Sequence, residues 1–185
     1  MNKNLFFIAL LPPVDIQSKA TAVKHYFADV YQSKAALKSP PHITLQPPFN
    51  WELARLTELK IVMANFARQQ RSIPVVLDGF AAFKPRVIYI DVHRTPELLQ
   101  LHQKLRQQLE LSLNIVHNRS KSRPFAPHMT VGFKDLTKAN FYRAWDEFKD
   151  KSFAANFTAS ELTLLYHNGR TWEINTEFSL IEDKN

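Results

Sequence analysis

A histidine and a threonine two positions apart occur twice in the chain. The segment PPHITLQPPF carries the first motif, His42 and Thr44, and PFAPHMTVGF carries the second, His128 and Thr130, with the two histidines 86 positions apart. Imidazoles have an unperturbed pKa near 6.5, so two of them can serve together as base and acid at neutral pH. Two hydroxyls can donate hydrogen bonds to anionic oxygens. In-line displacement at a phosphodiester needs this set of groups, and it requires no metal ion.

Alternation within each segment predicts a strand with one polar and one apolar face. Residues i and i+2 of a strand share a face, so Ile43 and Leu45 are opposite the first motif, and Met129 and Val131 are opposite the second. We expect the apolar pairs to anchor the two strands in the core. If two lobes pack around a two-fold axis, the polar faces meet across a cleft.

The two motif strands lie in a series of predicted elements that occurs twice. The order is strand, helix, motif strand, helix and hairpin, with offsets of about 82 to 86 residues between equivalent elements. The predicted strands cover 5–11, 42–46, 73–83, 86–92, 127–133, 157–166 and 171–180, and the predicted helices cover 14–32, 51–70, 95–113 and 137–149.

This repetition predicts an α+β fold of two similar lobes related by pseudo-two-fold symmetry. Each lobe is expected to be an antiparallel-type sheet with flanking helices, and the catalytic cleft lies between the lobes. We expect one bilobal domain over residues 1–185, with approximate and interleaved halves at 1–92 and 86–180.

Composition excludes several classes of site. The 185 residues include no cysteine, which excludes disulfides, thiolate metal sites and cysteine nucleophiles and is compatible with a reducing cytosol, so we expect a cytoplasmic protein. The three glycines are too scattered for a glycine-rich phosphate loop. The apolar run 5–11 is short and is followed by two prolines and Asp15, so we interpret it as a buried strand and expect no membrane association.

The formal net charge of +7 favours an anionic partner such as RNA or nucleotides. Part of this charge is a basic cluster just before the second motif that ends at Arg123. A zinc site is the competing interpretation of the histidines, but two ligands are too few. The other histidines, which show no paired ligand spacing, are His25, His93, His102, His117 and His167. We therefore expect no metal and no cofactor, and a metal-dependent hydrolase remains a minor alternative.

The two motifs and their flanking residues resemble the two-histidine phosphoesterase superfamily, in its bacterial 2′-5′ RNA ligase-like or cyclic phosphodiesterase branch. The resemblance extends over essentially the whole chain. It implies cleavage of a 2′,3′-cyclic phosphate on an RNA end or nucleotide, commonly to a 2′-phosphate, and in some members joining or cleavage of 2′-5′ linkages. By this resemblance, one of His42 and His128 activates water while the other protonates the departing 3′ oxygen, and Thr44 and Thr130 hold the non-bridging oxygens.

Four further residues are candidates for binding substrate. Phe49 and Phe133 could stack a base, but we favour the interpretation that both belong to the core. Lys134 lies where related proteins often carry an arginine, and it lacks the planar, bidentate geometry of a guanidinium. Arg123 could contact phosphate.

The sequence leaves two main functions open. The first is a metal-independent cyclic phosphodiesterase, with 2′-5′ RNA ligase activity as an extension. The alternative is a non-catalytic RNA- or nucleotide-binding module on the same fold. We expect a monomer in both cases.

Overall fold

Two antiparallel sheets of four strands each are formed by residues 2–116 and 124–182, the part of the chain that the computed structural model describes. The strands are β1 (Lys3–Leu10), β2 (Ile43–Glu52), β3 (Ile73–Phe83), β4 (Val87–Val92), β5 (His128–Gly132), β6 (Ala154–Ala159), β7 (Glu161–His167) and β8 (Trp172–Ser179). The first sheet has the order β2-β1-β7-β8 and the second the order β5-β4-β3-β6. The strands that carry the motifs, β2 and β5, are therefore edge strands in equivalent positions.

The α-helices of the described residues are α1 (Val14–Tyr31), α2 (Leu56–Ala67), α3 (Pro96–Leu113) and α4 (Lys138–Phe148). Helices α1 and α3 each follow the strand that pairs with a motif strand, and each ends at a residue in the left-handed conformation. These C-caps are Gln32 (φ 57°) and Asn114 (φ 53°), 82 positions apart. The side chain of Thr95 caps α3 by accepting a hydrogen bond from the amide of Leu98, as the sequence predicted.

One apolar core joins the two sheets and the four helices. The cluster includes Phe27 of α1, Leu59 of α2, Leu101 of α3 and Phe141 of α4, together with side chains from both sheets. Dense packing of this kind holds neighbouring elements at fixed distances. The predicted α+β fold with two lobes is confirmed. The single domain over residues 1–185 stays a prediction, because 117–123 and both chain ends lie outside the described residues.

Each sheet takes strands from distant parts of the chain. The first sheet combines β1 and β2 with β7 and β8, whereas the hairpin of β3 and β4 pairs with β5 and β6 in the second sheet. Each sheet thus combines strands from the first and the second half of the chain, and the approximate halves 1–92 and 86–180 stay a prediction. None of the described helices is both long and apolar enough to cross a membrane.

Three predicted elements were wrong in their extent. The strand predicted over 42–46 continues to Glu52 as β2. The helix predicted over 51–70 begins at Leu56, because Trp51 continues β2 and pairs with Asn4 of β1. The strand predicted over 157–166 is two strands, because the chain leaves the second sheet after Ala159 and enters the first sheet at Glu161.

Candidate active site

The two motifs lie on edge strands that approach each other across the lobes. The apolar residues between and after the motif residues are fully buried in the core: Ile43, Leu45, Met129 and Val131 each have an exposed fraction of 0%. Strand alternation therefore turns the motif side chains to the opposite face, where they are half-buried. The predicted anchoring of both motif strands by their apolar pairs is confirmed.

Each motif histidine is held by a backbone carbonyl two residues before it. Nδ1 of His42 donates to the carbonyl oxygen of Pro40 over 2.7 Å, and Nδ1 of His128 donates to that of Ala126 over 2.8 Å. A carbonyl oxygen can only accept, so the hydrogen of each neutral ring resides on Nδ1. Both rings consequently keep the lone pair on Nε2, the atom that can take or deliver a proton.

Proline before each histidine explains this arrangement locally. Pro41 and Pro127 restrict the residues before them to extended backbone, which limits the directions in which the Pro40 and Ala126 carbonyls can point. The two copies of the motif therefore have the same local conformation because they share the same local constraint.

Aromatic rings surround both imidazoles. The ring of His42 lies 4.7 Å from that of Phe7, which in turn packs edge-on against Trp172 at 4.6 Å between ring centroids. The ring of His128 lies 5.0 Å from that of Phe83 and 5.2 Å from that of Tyr89. These contacts keep water away from one side of each imidazole and fix its orientation.

Burial makes both histidines weak bases in the free protein. Burial lowers the pKa of His42 to about 4, with the hydrogen bond to Pro40 opposing this shift and the charges of Lys24 and His128 contributing to it. Burial also lowers the pKa of His128, against the effect of its hydrogen bond to Ala126. Because His42 senses charge on His128, protons on the two rings disfavour each other. The free site is therefore neutral at pH 7, and a bound anion would raise the proton affinity of both rings.

Two of the four further candidates for substrate binding, Phe49 and Phe133, contact other parts of the protein. Phe49 is half-buried against the core, with its ring 6.4 Å from that of Phe6. The carbonyl oxygen of Phe133 lies 3.4 Å from the hydroxyl of Ser33, two residues after α1, which places the end of the second motif strand beside the C-terminal end of that helix. Neither contact brings an aromatic ring to the histidines, so base stacking by Phe49 and Phe133 stays a prediction.

The other two candidates are basic. Lys134 lies with Arg86 and Lys138 around a cavity of about 550 Å³ that neither motif lines. Arg123 and the basic cluster that it ends lie outside the described residues. Their contact with substrate stays a prediction.

Lys24, whose charge acts on His42, was not among the residues predicted from the sequence. Lys24 is in α1, where Ala20 and Phe27 occupy the buried face at helical spacing, and its own exposed fraction is 2%. A lysine within an apolar helical stripe was the signal that could have identified it. Within the described residues, no three His, Asp or Glu side chains are grouped closely enough to hold a metal ion.

Solved structures share this arrangement of sheets and helices. The protein TT0787 of Thermus thermophilus superposes with a TM-score of 0.68 at 17% identity, covering 97% of this chain and 100% of that one. E. coli LigT in complex with 3′-AMP superposes with a TM-score of 0.67 at 21% identity, covering 97% and 99%. At these identities the likeness concerns the fold.

Sequence relatives cover nearly the whole chain. A candidate phosphoesterase of Geobacillus sp. (strain WCH70) is 29% identical over 175 residues, which cover 92% of this chain and 93% of the relative. Another of Bacillus mycoides (strain KBAB4) is 28% identical over 182 residues, covering 96% and 98%. The family model of the 2′-5′ RNA ligase superfamily matches residues 12–171, a range that contains both motifs and both motif strands. The chain therefore belongs to the 2′-5′ RNA ligase superfamily of two-histidine phosphoesterases.

Proposed function

We propose that the protein is a metal-independent phosphodiesterase that hydrolyses 2′,3′-cyclic phosphates on RNA ends or nucleotides. The observation that carries the proposal is the matched pair of imidazoles, each with Nδ1–H bound to a carbonyl and Nε2 left for proton transfer. Membership of the superfamily supports the reaction class. The nucleotide 3′-AMP bound to E. coli LigT supports a nucleotide substrate.

In the proposed reaction, Nε2 of one histidine removes a proton from water as the oxygen attacks phosphorus. The bond from phosphorus to the 3′ oxygen breaks, and the other histidine, protonated at Nε2, delivers its proton to that oxygen. The product is a 2′-phosphate with a free 3′-hydroxyl, and proton exchange with solvent returns the two rings to their starting protonation states before the next turnover. Either of His42 and His128 can be the base.

Thr44 and Thr130 would act on the equatorial oxygens of the phosphorane-like transition state. Each lies two residues after its histidine on the same strand face, and each hydroxyl can donate one hydrogen bond. Preorganised donors of this kind stabilise charge as it develops. No Lewis acid is needed in this scheme.

The same groups would support ligation. If the 5′-hydroxyl of a second RNA replaces water, its oxygen attacks the cyclic phosphate, loses its proton to the base histidine and forms a 2′-5′ linkage. The 3′ oxygen again leaves with a proton from the acid histidine. Hydrolysis and ligation therefore differ in the nucleophile alone.

Phosphorus NMR of adenosine 2′,3′-cyclic phosphate incubated with the protein in EDTA tests the proposal. We expect conversion to adenosine 2′-phosphate, with rate losses of about 10²–10⁴-fold in His42→Ala and in His128→Ala. His25→Ala is the matched control, since His25 is an exposed histidine of α1. Activity that survives either motif substitution would exclude the two-histidine mechanism, and turnover that requires added metal would favour a metal-dependent hydrolase. Binding of 3′-AMP without turnover would favour the binding module.

A further inference from the structure

Lys24 is a buried cation whose charge the protein leaves largely uncompensated. Its Nζ donates to the carbonyl oxygen of Ser39 over 3.0 Å, while its exposed fraction is 2%. An ammonium has three N–H donors, yet Ser39 provides its one hydrogen-bond acceptor within residues 2–116 and 124–182. No carboxylate of that part of the chain forms an ion pair with it. Burying an ammonium without an anion is costly, so such a site is suited to an anionic ligand.

Desolvation makes the Lys24 ammonium more acidic, but the side chain remains charged at neutral pH. Burial lowers the pKa of Lys24 to about 8. The side chain is therefore mainly an ammonium at pH 7. A bound anion would restore its pKa and compensate its charge.

Lys24 is one of the residues that line a cavity of about 300 Å³ between α1, the segment that leads to the first motif, and the β7–β8 turn. Lys38 brings a second cation, and Thr21 and Thr171 bring hydroxyls. None of the described lining residues is acidic. This set of groups recognises phosphate by charge and by hydrogen bonds.

The cavity adjoins His42 on two sides. Pro40 lines the cavity, and its carbonyl is the one that accepts the hydrogen bond from His42. Trp172 lines it too and packs on Phe7, against which the ring of His42 lies. The cavity therefore lies beside the first motif, with Pro40 and Trp172 as the residues that both share.

We propose that this cavity is a subsite for a second phosphate group of the substrate, one that is bound but not attacked, with Lys24 as its main ligand. The inference rests on the proposed function and narrows its substrate class. The second phosphate is either a 5′-phosphate monoester on the terminal nucleotide or the diester that joins this nucleotide to the rest of an RNA chain. Nucleosides with the cyclic phosphate alone would leave the subsite empty.

Three substrates distinguish these sources: adenosine 2′,3′-cyclic phosphate, its 5′-phosphorylated form, and the dinucleotide ApA ending in a 2′,3′-cyclic phosphate. For the protein as it stands we expect kcat/KM to be about tenfold higher for at least one of the two substrates with a second phosphate. The substrate that gains identifies the source of the phosphate. Equal kcat/KM for the three substrates would overturn the proposal.

Substitution of Lys24 isolates its contribution. Lys24→Met keeps length and removes charge, and we expect it to abolish the preference for the second phosphate. Lys19→Met removes the same charge from an exposed position of α1 outside the cavity and should leave the preference intact. An equal loss in Lys24→Met for all three substrates would overturn the subsite and assign Lys24 to holding Ser39. Lys38→Met, at an exposed lining position, provides a second test in case Lys24→Met fails to fold. It should reduce the preference two- to threefold, and an unchanged preference would overturn the proposal.

A binding measurement tests this subsite independently of the proposed reaction. Isothermal titration calorimetry with adenosine 3′,5′-bisphosphate and 3′-AMP needs no turnover. We expect the 5′-phosphate to tighten binding about tenfold in the protein as it stands and in Lys19→Met, and to have no effect in Lys24→Met. The same gain in Lys24→Met would overturn the subsite, whether or not the protein hydrolyses cyclic phosphates.

Discussion

The imidazole of His102 and the ring of Phe125 are stacked face to face, with centroids 3.7 Å apart and planes inclined by 5°. Phe125 immediately precedes Ala126, whose carbonyl accepts the hydrogen bond from His128. In the other lobe the equivalent position is Ser39, 86 residues earlier, where the helix contact is the hydrogen bond from Lys24. Lys24 of α1 thus holds Ser39 by a hydrogen bond, and His102 of α3 holds Phe125 by stacking. Each held residue lies three positions before a motif histidine.

Removing the stack should misplace His128 without touching the substrate. We expect Phe125→Ala to lower kcat by about 10–100-fold, since small displacements of a catalytic group are costly, and Phe125→Tyr to restore most of it. The nitrogen NMR shift of His128 Nδ1 should move as its hydrogen bond to Ala126 loosens. Phe153→Ala is the control, because Phe153 is also half-buried but packs against Phe80. An unchanged kcat with an unchanged Nδ1 signal would contradict the positioning role.

Three histidines with lowered pKa values should make the folded protein sensitive to mild acid. Burial lowers the pKa of His42 and of His102 to about 4 and also lowers the pKa of His128. The unfolded chain binds protons near pH 6.5 and the folded protein does not, so the stability conferred by the neutral rings is present above pH 6.5 and is lost as pH falls towards 4. The free energy of unfolding should fall by up to about 1.4 kcal/mol per pH unit for each histidine.

Urea denaturation at pH 7, 6 and 5 measures this loss. His102→Phe removes one of the three groups and should flatten the decline by about one third, whereas His25→Gln, at an exposed position, should not. A midpoint that does not change between pH 7 and pH 5 would contradict the lowered pKa values.

The pH dependence of turnover should follow from the same shifts. The proposed reaction needs one neutral and one protonated imidazole, and the free site is neutral at pH 7. We therefore expect kcat/KM to rise as pH falls from 8 and to decline again once both rings are protonated, which gives a bell-shaped profile displaced to the acid side. Stopped assays of adenosine 2′,3′-cyclic phosphate across this range provide the check; a flat profile between pH 5 and 8 is the contrary result.

The motif threonines should contribute through their hydroxyls. Thr44→Val and Thr130→Val keep shape but remove a donor, and each should lower kcat/KM by about 10–100-fold, while the serine variants should retain most of the activity. Thr57→Val, at an exposed position of α2, is the control. Valine variants as active as the serine variants would show that the hydroxyls do not bind the reacting phosphate. Initial rates with the cyclic phosphate decide between these results.

The local sequence pattern was sufficient to predict the motif strands. It was insufficient where pairing with a distant strand determines the backbone conformation. Strict alternation around His42 and His128 predicted the strands, their buried faces and their equivalence. Leu53 and Leu56 continue a helical spacing back towards Trp51, but pairing with β1 satisfies the backbone of Trp51 in an extended form, and its indole donates to the carbonyl of Arg55 over 2.9 Å.

The change of sheet between β6 and β7 had only a weak sequence signal. No glycine or proline marks the break at Ser160, and the one sign is that the apolar alternation shifts by one residue between Ala159 and Leu162. The ladder partners that separate the two strands, β3 for one and β1 for the other, are far away in the chain. For the same reason the sequence indicated the two motifs but not Lys24 or Phe125, whose roles depend on contacts between distant elements.

Asp135, just after the second motif strand, should stabilise the approach to the first motif. Its carboxylate accepts hydrogen bonds from the amides of Lys34 and Ala35, over 2.8 and 2.9 Å, and from the hydroxyl of Ser33 over 3.0 Å. These amides open the short 3-10 helix Ala35–Lys38 that leads to the first motif.

Asp135→Ala would leave the amides of Lys34 and Ala35 without their side-chain acceptor and should lower the free energy of unfolding by about 2 kcal/mol, as loss of a helix cap does. Turnover should fall as well, because the segment before His42 is freed, whereas Asp135→Asn, which retains one acceptor oxygen, should lose less of both. Asp146→Ala tests whether any acidic residue has this effect, since Asp146 pairs with Lys149 at the surface of α4. Urea denaturation and initial rates on the same samples compare the four proteins, and equal behaviour of Asp135→Ala and Asp146→Ala would contradict a link between the two lobes.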